Sequence, residues 1–331
     1  DLVLYAGFKL VFVNLKYNCA LNITKIQEKI TTKTAAVVCT NMFNNIKETN
    51  NLNRLCKKKK IFLIEDSAIY FGNNEKLKNK KIFSGSFGDA SIFSFGLMKR
   101  VSSIDGGALA TDNKKLYKFA LKFNSDNDNV YFQRIFKQIV LYLIIKIIYS
   151  RFIYNYFFHY FMKKVHFLHL NFIMKFIYPA EFYLKKNFNP RLIFRKPSNI
   201  AINMIANSIK ELHNSKNDKI RLKNIKLYYK NLNKIKQLDL IYQKDSTYQN
   251  FLDFPIQVKK AKVLHRYLFE KGIECKMYFY KTCIKSKFSL DNFDKKILCL
   301  PCHHNISVKE INFICRELKN FLSEEIKFKN R

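Results

Sequence analysis

The first 120 residues alternate short apolar runs with segments of helical periodicity, and this alternation restricts the fold more than any other feature. Continuous apolar runs are typical of strands buried on both faces, and a β-α-β order favours a mostly parallel sheet. The predicted strands are Phe8–Asn14, Ala35–Thr40, Ile61–Ile64, Ala90–Phe95 and Ala108–Thr111, and the helices between the first three are Ile23–Ile30 and Ile46–Lys58. We therefore expect an α/β fold whose ligands bind where the parallel strands end.

Beyond residue 187 the pattern is first helical and then mixed, which indicates a second, smaller α/β unit. The predicted elements are a helix over Ile200–Leu232, a strand over Phe254–Val258, a helix over Ala261–Lys271 ended by Gly272, a strand over Glu274–Phe279, and a helix over Ser307–Leu322 with a Ser307/Glu310 capping box. We accordingly divide the chain into a large domain at 1–130, an aromatic-rich helical insertion at 131–195, and a long helix with a small C-terminal domain at 196–331.

The segment 135–178 combines apolar helices with many aromatic side chains and scattered cations. Because Lys146, Arg151, Lys163 and Lys164 interrupt it, it lacks the run of about 18 apolar residues that a transmembrane helix needs. Two interpretations stay open. The segment is a helical subdomain packed on its own chain or on a partner subunit, or it touches a membrane peripherally while its cations reach the lipid headgroups.

The chain is strongly basic, with 60 Lys and Arg against 25 Asp and Glu and a formal net charge of +35. Such an excess suggests nucleic acid or an anionic membrane as a partner. The cations are spread evenly, and Lys, Asn, Ile, Phe and Tyr are all abundant, so we interpret the charge mainly as compositional bias and expect no nucleic-acid partner. The eight cysteines are scattered and no signal peptide is recognised, which predicts a reducing, cytoplasmic location.

Three side chains suited to pyridoxal phosphate lie at or after the predicted strands. Asp66 follows one strand, Ser94 lies near the end of the next, and Lys99 follows a short turn. A carboxylate for the pyridine nitrogen, a hydroxyl for the phosphate and a lysine for the carbonyl carbon are what this cofactor requires. A partly apolar pocket lowers the pKa of a lysine, so the amine can act as a nucleophile. By themselves, however, Asp, Ser and Lys are common residues of protein surfaces, so these three could equally be exposed residues without a functional role.

Four motifs in a fixed order make the interpretation specific: E-D-x-A from Glu65, G-S-F-G-D from Gly85, F-S-F-x-x-x-K from Phe93 and G-G-A-L-x-T-D from Gly106. Together they resemble the DegT/DnrJ/EryC1/StrS family of sugar aminotransferases, which are pyridoxal-phosphate enzymes of the aspartate aminotransferase fold (fold type I). Residues 5–13, the G-I-E at 272–274 and the L-P-x-H at 300–303 also resemble the family. The resemblance thus leaves out only about 130–195.

The resemblance implies fold type I, with a mostly parallel sheet in the large domain and a smaller C-terminal domain. It implies a homodimer that aminates a nucleotide-linked keto-sugar, with glutamate as amino donor, for polysaccharide or glycan synthesis. Lys99 would hold the cofactor covalently and shuttle a proton, Asp66 would pair with the pyridine nitrogen, and Ser94 would bind the phosphate. No metal is expected. The haem-like C-x-x-C-H at 299–303 is attributed to the family's L-P-x-H.

The chain departs from the family pattern at two positions and at its start. Ile69 occupies the cofactor-binding position where the family often has Gln or His near the ring hydroxyl, and it cannot hydrogen-bond. Arg100 replaces the Asn that is common after the lysine. The family's phosphate loop would lie upstream of Asp1, so we expect an N-terminally truncated sequence.

These departures leave rival functions open. The alternative to the aminotransferase is a truncated or degenerate, non-catalytic partner subunit or membrane-associated scaffold, which Ile69 and the expected truncation favour. The dehydratases of the same family replace the Schiff-base lysine with His, so Lys99 argues against that branch.

Overall fold

The computed structural model describes residues 2–16, 19–43, 46–77, 80–97, 99–126, 132–167, 196–213, 216–241, 252–277 and 296–329. The N-terminal elements are α1 (Leu2–Tyr5), α2 (Ile23–Lys29), β1 (Ala36–Thr40), α3 (Ile46–Lys59), β2 (Phe62–Asp66), β3 (Asn74–Leu77), β4 (Lys80–Phe83), β5 (Ala90–Ser94), β6 (Gly107–Ala110) and α4 (Lys114–Asp126). Strands and helices therefore alternate from α2 to β2 as the sequence predicts.

A four-stranded sheet with the order β1-β2-β5-β6 forms the N-terminal part. β1, β2 and β5 are parallel, and β6 runs antiparallel to β5, so the sheet is mostly parallel as predicted. The register sets Asp66 beside Ile92 and Ser94 beside Gly107, which brings the carboxyl ends of β2 and β5 to one edge. We call this the parallel sheet.

Helix α3 covers only one face of the parallel sheet. Its Leu52 and Cys56 pack with Cys39 and Leu63 because the apolar positions of an amphipathic helix meet the inward residues of alternating strands. The opposite face, which we call the open face, is solvent-exposed. Its residues Val38, Ile92 and Leu109 are 51%, 41% and 42% exposed.

The C-terminal elements are α8 (Asn199–His213), α9 (Lys216–Leu232), β7 (Asp239–Leu240), β8 (Asp253–Gln257), α10 (Ala261–Glu270), β9 (Ile297–Pro301) and α11 (Val308–Lys329). β7, β8 and β9 form an antiparallel sheet, which we call the C-terminal sheet. All five residues of β8 are buried. Phe254 and Ile256 of this strand lie in a large apolar cluster that also includes Leu264 of α10 and Tyr70, which follows β2. Apolar packing thus joins the two sheets.

Between the sheets along the chain lie α5 (Phe132–Ile148), α6 (Arg151–Ile153), one π-helical stretch (Tyr154–Phe158) and α7 (His159–Phe167). The last three follow one another without a break, so we treat 151–167 as one helical segment. Among the described residues, no helix is both long and apolar enough to cross a bilayer. Residues 168–195 of the predicted insertion lie outside the described part of the chain.

Several predicted elements are wrong. Residues 8–14 form no strand among the described residues, and the side chains of Phe8 and Val11 are exposed. Of the helix predicted over Ile200–Leu232, the structure describes α8 and α9, and residues 214–215 between them lie outside the described residues. The strand predicted over Glu274–Phe279 is reduced to an isolated bridge between Lys276 and Cys299, with 278–279 outside the described residues. The β3–β4 hairpin was not predicted.

The helix ends follow the predicted signals closely. The Glu310 N–H donates to Ser307 Oγ at 3.2 Å, and the Ser307 N–H donates to the Glu310 carboxylate at 2.6 Å, which confirms the capping box. Gly272 ends α10 with φ +84°, a conformation that a residue without Cβ adopts at low cost.

Candidate functional site

Asp66, Ser94 and Lys99 lie together at the carboxyl edge of the parallel sheet. Asp66 is the last residue of β2, and its Oδ1 accepts the Ala68 N–H at 3.1 Å. Ser94 is the last residue of β5. Because side chains alternate along a strand and Ile92 is paired with Asp66, Ser94 and Asp66 belong to the same, open face. The sequence prediction that these residues meet at strand ends is therefore matched by the backbone.

Lys99 lies in the turn after β5, where its N–H donates to the Gly96 carbonyl at 3.3 Å. Burial lowers the pKa of its ammonium, and the nearby Asp66 carboxylate works in the opposite direction. A lysine whose pKa is lowered carries more free amine near neutral pH than a surface lysine does. That is the property a nucleophilic or proton-transferring lysine needs.

Glu65, which the sequence analysis did not single out, anchors this edge from the covered face. Its carboxylate is 0% exposed and accepts four hydrogen bonds. The Phe87 and Gly88 N–H groups donate to Oε1 at 2.6 Å each, and the Gly85 N–H and Asn41 Nδ2 donate to Oε2 at 3.1 and 2.9 Å. In the E-D motif, the first carboxylate thus fixes the backbone and the second faces the open side.

The G-S-F-G-D motif is the turn that Glu65 holds. Gly85 has φ +86°, and a Cβ at this position would lie 2.4 Å from the Phe93 ring. At the other end of the motif, Asp89 Oδ2 accepts the Leu63 N–H at 2.7 Å. The turn is therefore tied to β2 by two carboxylates, and it leads directly into β5 and Ser94.

Arg100 ties the lysine turn to helix α9. Its guanidinium is 8% exposed, and it forms a two-pronged ion pair with Asp218, with Nε 3.1 Å from Oδ1. Its Nη1 also donates to the Phe71 carbonyl at 3.0 Å and to Asn73 Oδ1 at 2.9 Å. Burial lowers the pKa of this guanidinium, which Asp218 counteracts. Arg100, which differs from the Asn common at this position in the family, thus links the turn that carries Lys99 to the rest of the structure.

Asp253 of the C-terminal sheet and Lys276, which forms an isolated bridge to Cys299 of that sheet, make an ion pair that acts on Lys99. Lys276 Nζ lies 3.1 Å from Asp253 Oδ2. After burial and Asp66, these two groups are the next influences on the pKa of Lys99: Lys276 lowers it and Asp253 raises it. Sequence reasoning missed both residues, since neither belongs to a recognisable motif.

Ile69 is the third residue after β2 and is partly buried against the apolar cluster of the C-terminal sheet. An aliphatic side chain offers no hydrogen bond to a ligand. Its contacts are packing contacts, so the structure gives this position a role in joining the two sheets.

The donor set fits pyridoxal phosphate. A carboxylate, a hydroxyl and an amine of lowered pKa are brought to one edge, with Asp66 suited to a protonated ring nitrogen, Ser94 to a phosphate oxygen and Lys99 to a carbonyl carbon. The Asp66 carboxylate is close enough to Lys99 to raise the pKa of its ammonium.

The haem-like cysteine pair lies inside the protein. Cys299 and Cys302 are 1% and 0% exposed, and burial raises the pKa of Cys302 to about 12. Such thiols are protonated and inert at neutral pH. In the described part of the chain, no group of three or more His, Cys, Asp or Glu side chains has an arrangement that could hold a metal ion.

Comparison with known proteins gives relatives that match about a third of the chain. GDP-perosamine synthase of Escherichia coli O157:H7 is 33% identical over 120 residues, which are 36% of this chain and 32% of that protein. The matched segment therefore spans about a third of the length of this curated relative.

Solved structures match almost the whole chain. Aminotransferase TlmJ from Streptoalloteichus hindustanus superposes with a TM-score of 0.69 at 15% identity, over 98% of this chain and 76% of that one. The E. coli GDP-4-keto-6-deoxy-D-mannose-3-dehydratase with bound hydrated PLP superposes with a TM-score of 0.65 at 18% identity, over 96% and 75%. Likeness at this identity shows the fold alone, and it confirms the predicted α/β aminotransferase fold.

The similarity to a known family lies in the same part of the chain that carries the motifs. The sequence model of the DegT/DnrJ/EryC1/StrS aminotransferase family matches residues 1–142, which include Asp66, Ser94 and Lys99. Residues 1–142 of this chain are therefore similar to the DegT/DnrJ/EryC1/StrS aminotransferase family.

Proposed function

We propose that the protein is a pyridoxal-phosphate-dependent aminotransferase that converts a nucleotide-linked keto-sugar into an amino-sugar, with glutamate as the amino donor, for polysaccharide or glycan synthesis. The observation that carries the proposal is the proximity of Lys99, a lysine of lowered pKa, to the Asp66 carboxylate at the edge of the parallel sheet, within the motifs that resemble the family. The sugar-related names of its relatives support the substrate class.

The cofactor, when bound, supplies a conjugated ring that accepts the electron pair left when a C–H bond beside the amine breaks. Lys99 Nζ would hold the cofactor through its carbonyl carbon and, once displaced by the substrate amine, would carry the proton that leaves the substrate carbon. Asp66 would keep the ring nitrogen protonated, since a carboxylate stabilises a neighbouring cation. Ser94 would donate to a phosphate oxygen, and Ile69 would border the ring without a hydrogen bond.

Both half-reactions would use Lys99, which gives ping-pong kinetics. Glutamate would leave as 2-oxoglutarate, and the keto-sugar would then take the amino group and a proton. Lys99 disfavours the dehydratase branch, because those relatives use His at this position.

The direct test is cofactor attachment to the full chain. We expect wild-type protein mixed with pyridoxal phosphate to develop visible absorbance, and borohydride reduction followed by peptide mapping to find the cofactor mass on Lys99. Lys99→Ala should lose both signals. Lys259→Ala, at an exposed turn before α10, is the matched control and should keep them.

Transamination is then assayed as 2-oxoglutarate released from glutamate in the presence of nucleotide-linked keto-sugars. Activity that remains in Lys99→Ala would overturn the assigned role. A wild-type chain that binds no pyridoxal phosphate would instead favour the non-catalytic alternative, a partner subunit or scaffold.

We further infer a homodimer and the division of the chain at residues 130 and 195. The resemblance to the family supports the dimer. Separate helical and sheet-bearing parts along the chain support the division. Light scattering of purified protein tests the first, and limited proteolysis followed by mass spectrometry tests the second.

A further inference from the structure

The helical segment 151–167 exposes a row of aromatic rings to solvent. Their exposed fractions range from 46% to 70%. The row consists of Phe152, Tyr156, Phe157, Tyr160 and Phe161. Their spacing places them on one side of a helix, where a surface helix normally carries polar residues. We call this row the aromatic face.

The opposite side of the same helical segment is bound to the C-terminal part of the protein. Tyr154 Oη donates to Glu274 Oε2 at 2.9 Å, and Lys163 Nζ donates to the Glu270 carbonyl at 2.6 Å. Met162, 3% exposed, is buried on this side. The segment is thus fixed in orientation, and the aromatic face is turned outward by the contacts of the other side.

Helix α5 adds a second exposed apolar stripe. Its residues Phe136, Val140, Ile144 and Ile147 recur at helical spacing and are 60%, 37%, 46% and 57% exposed. Phe132 at the start of the helix is 79% exposed. A row of exposed apolar side chains along one side of a helix marks an interaction site far more often than scattered single residues do.

The charge of residues 132–167 indicates which kind of partner this exposed surface can bind. This stretch contains no Asp or Glu, and its cations are Arg134, Lys137, Lys146, Arg151, Lys163 and Lys164. Arg151 lies 3.4 Å from Glu310 in the C-terminal part of the chain, but residues 132–167 supply no acidic residue for the other cations. Two copies meeting through this surface would therefore bring like charges together, which disfavours a self-interface. An apolar surface with cations around it is instead complementary to a partner that has an apolar interior and anionic groups at its surface.

We propose that α5 and the aromatic face dock on the surface of an anionic lipid bilayer. The aromatic rings would lie at the level of the lipid headgroups, and Lys137, Lys146 and Lys164, all exposed, would reach lipid phosphates and carboxylates. The helices would lie along the surface, in agreement with the lack of a spanning helix among the described residues. This proposal does not depend on the proposed catalytic function.

Flotation of the full chain with lipid vesicles tests the proposal. We expect binding to phosphatidylcholine vesicles that contain phosphatidylserine, and weaker binding at high salt or without phosphatidylserine. Lys146→Gln/Lys164→Gln should lower the partition coefficient on anionic vesicles roughly fivefold per lysine. Phe152→Gln/Phe157→Gln/Tyr160→Gln should remove binding to both kinds of vesicle.

Phe83→Gln is the matched control, because Phe83 is an aromatic residue 43% exposed on β4. It should float like the wild type. The thermal unfolding midpoints of all variants should match, since the changed side chains face solvent. Wild-type protein that does not float with anionic vesicles would overturn the proposal. So would flotation that the triple variant retains, or a concentration-dependent dimer that the triple variant loses without any lipid binding.

Discussion

Each of the two sheets of the protein is stabilised by a different kind of interaction. In the C-terminal sheet all five residues of β8 are buried, and large side chains such as Phe254 and Leu264 are 0% exposed. In the parallel sheet only one face is covered, and the open face exposes Val38 and Ile92. The carboxyl edge of the parallel sheet is fixed mainly by hydrogen bonds to Glu65.

This contrast separates two groups of residues. The four motifs between residues 65 and 112 lie on and beside the parallel sheet, whereas most of the largest apolar cluster lies in the C-terminal part, beyond the residues 1–142 that the family model matches. Apolar burial contributes in proportion to the area removed from water, so the C-terminal sheet should dominate stability. The polar contacts of the parallel sheet position groups for chemistry.

The largest effect is expected in the C-terminal sheet. Phe254 is fully buried and stacks on Tyr228 with ring centroids 5.1 Å apart. Phe254→Ala should lower the free energy of unfolding by about 3–5 kcal/mol, because it removes apolar contacts and leaves a cavity. Ile92→Thr on the open face should cost about 0.5 kcal/mol or less. Urea denaturation measures both, and equal losses would contradict the contrast between the sheets.

Glu65→Gln should have the largest polar effect in the parallel sheet. Each carboxylate oxygen accepts two hydrogen bonds, so the amide NH₂ of Gln must face two donors in either orientation. We expect a loss of about 2–3 kcal/mol in the free energy of unfolding. Glu28→Gln on α2, where the carboxylate is exposed, serves as control. If both variants unfold alike, hydrogen bonds to Glu65 do not hold this edge.

The ion pair of Arg100 and Asp218 connects the turn after β5 in the parallel sheet to helix α9 in the C-terminal part. A double-mutant cycle with Arg100→Met and Asp218→Asn should give a coupling energy of about 0.5–3 kcal/mol, since both groups are largely buried and in direct contact. Urea denaturation of the four proteins measures it. A coupling energy near zero would mean that the lysine turn and helix α9 are energetically independent.

The smallest effect is a change in the pKa of Lys99. Lys276→Met removes a cation that lowers this pKa and should move it upward, and Asp253→Asn removes an anion and should move it downward. The free amine forms as pH rises through the pKa, so the pH midpoint of Lys99 acetylation by acetic anhydride should rise in the first variant and fall in the second. Peptide mapping by mass spectrometry gives the midpoint. Shifts of the same sign would contradict the proximity of this ion pair to Lys99.

The pKa of Lys99 also makes stability depend on pH. Because burial places the folded pKa below the unfolded one, the unfolded chain binds more protons between the two values. The contribution of Lys99 to the free energy of unfolding therefore rises with pH across that window and is constant outside it. Lys99→Met should remove this slope.

Local sequence signals predicted some elements well and others poorly. Helices α3 and α11 begin within a residue of their predicted starts, because amphipathic spacing and capping residues are local signals. The strand expected at residues 8–14 failed because an apolar run forms a strand only where a neighbouring strand offers hydrogen bonds. The β3–β4 hairpin was missed because Lys-rich, polar strands lack the alternation used to detect them.

The sequence by itself determined the order of the motifs and the positions of Asp66, Ser94 and Lys99 at strand ends, since strand periodicity and motif spacing are properties of neighbouring residues. Their roles in binding a cofactor stay predictions. Only the tertiary structure brought Asp218 to Arg100, 118 positions away along the chain, and Asp253 and Lys276 to Lys99. The tertiary structure also decided that the aromatic face is exposed to solvent, because the opposite side of the helical segment is bound to the C-terminal part. Electrostatic and packing energies depend on distance in space, which no local pattern records.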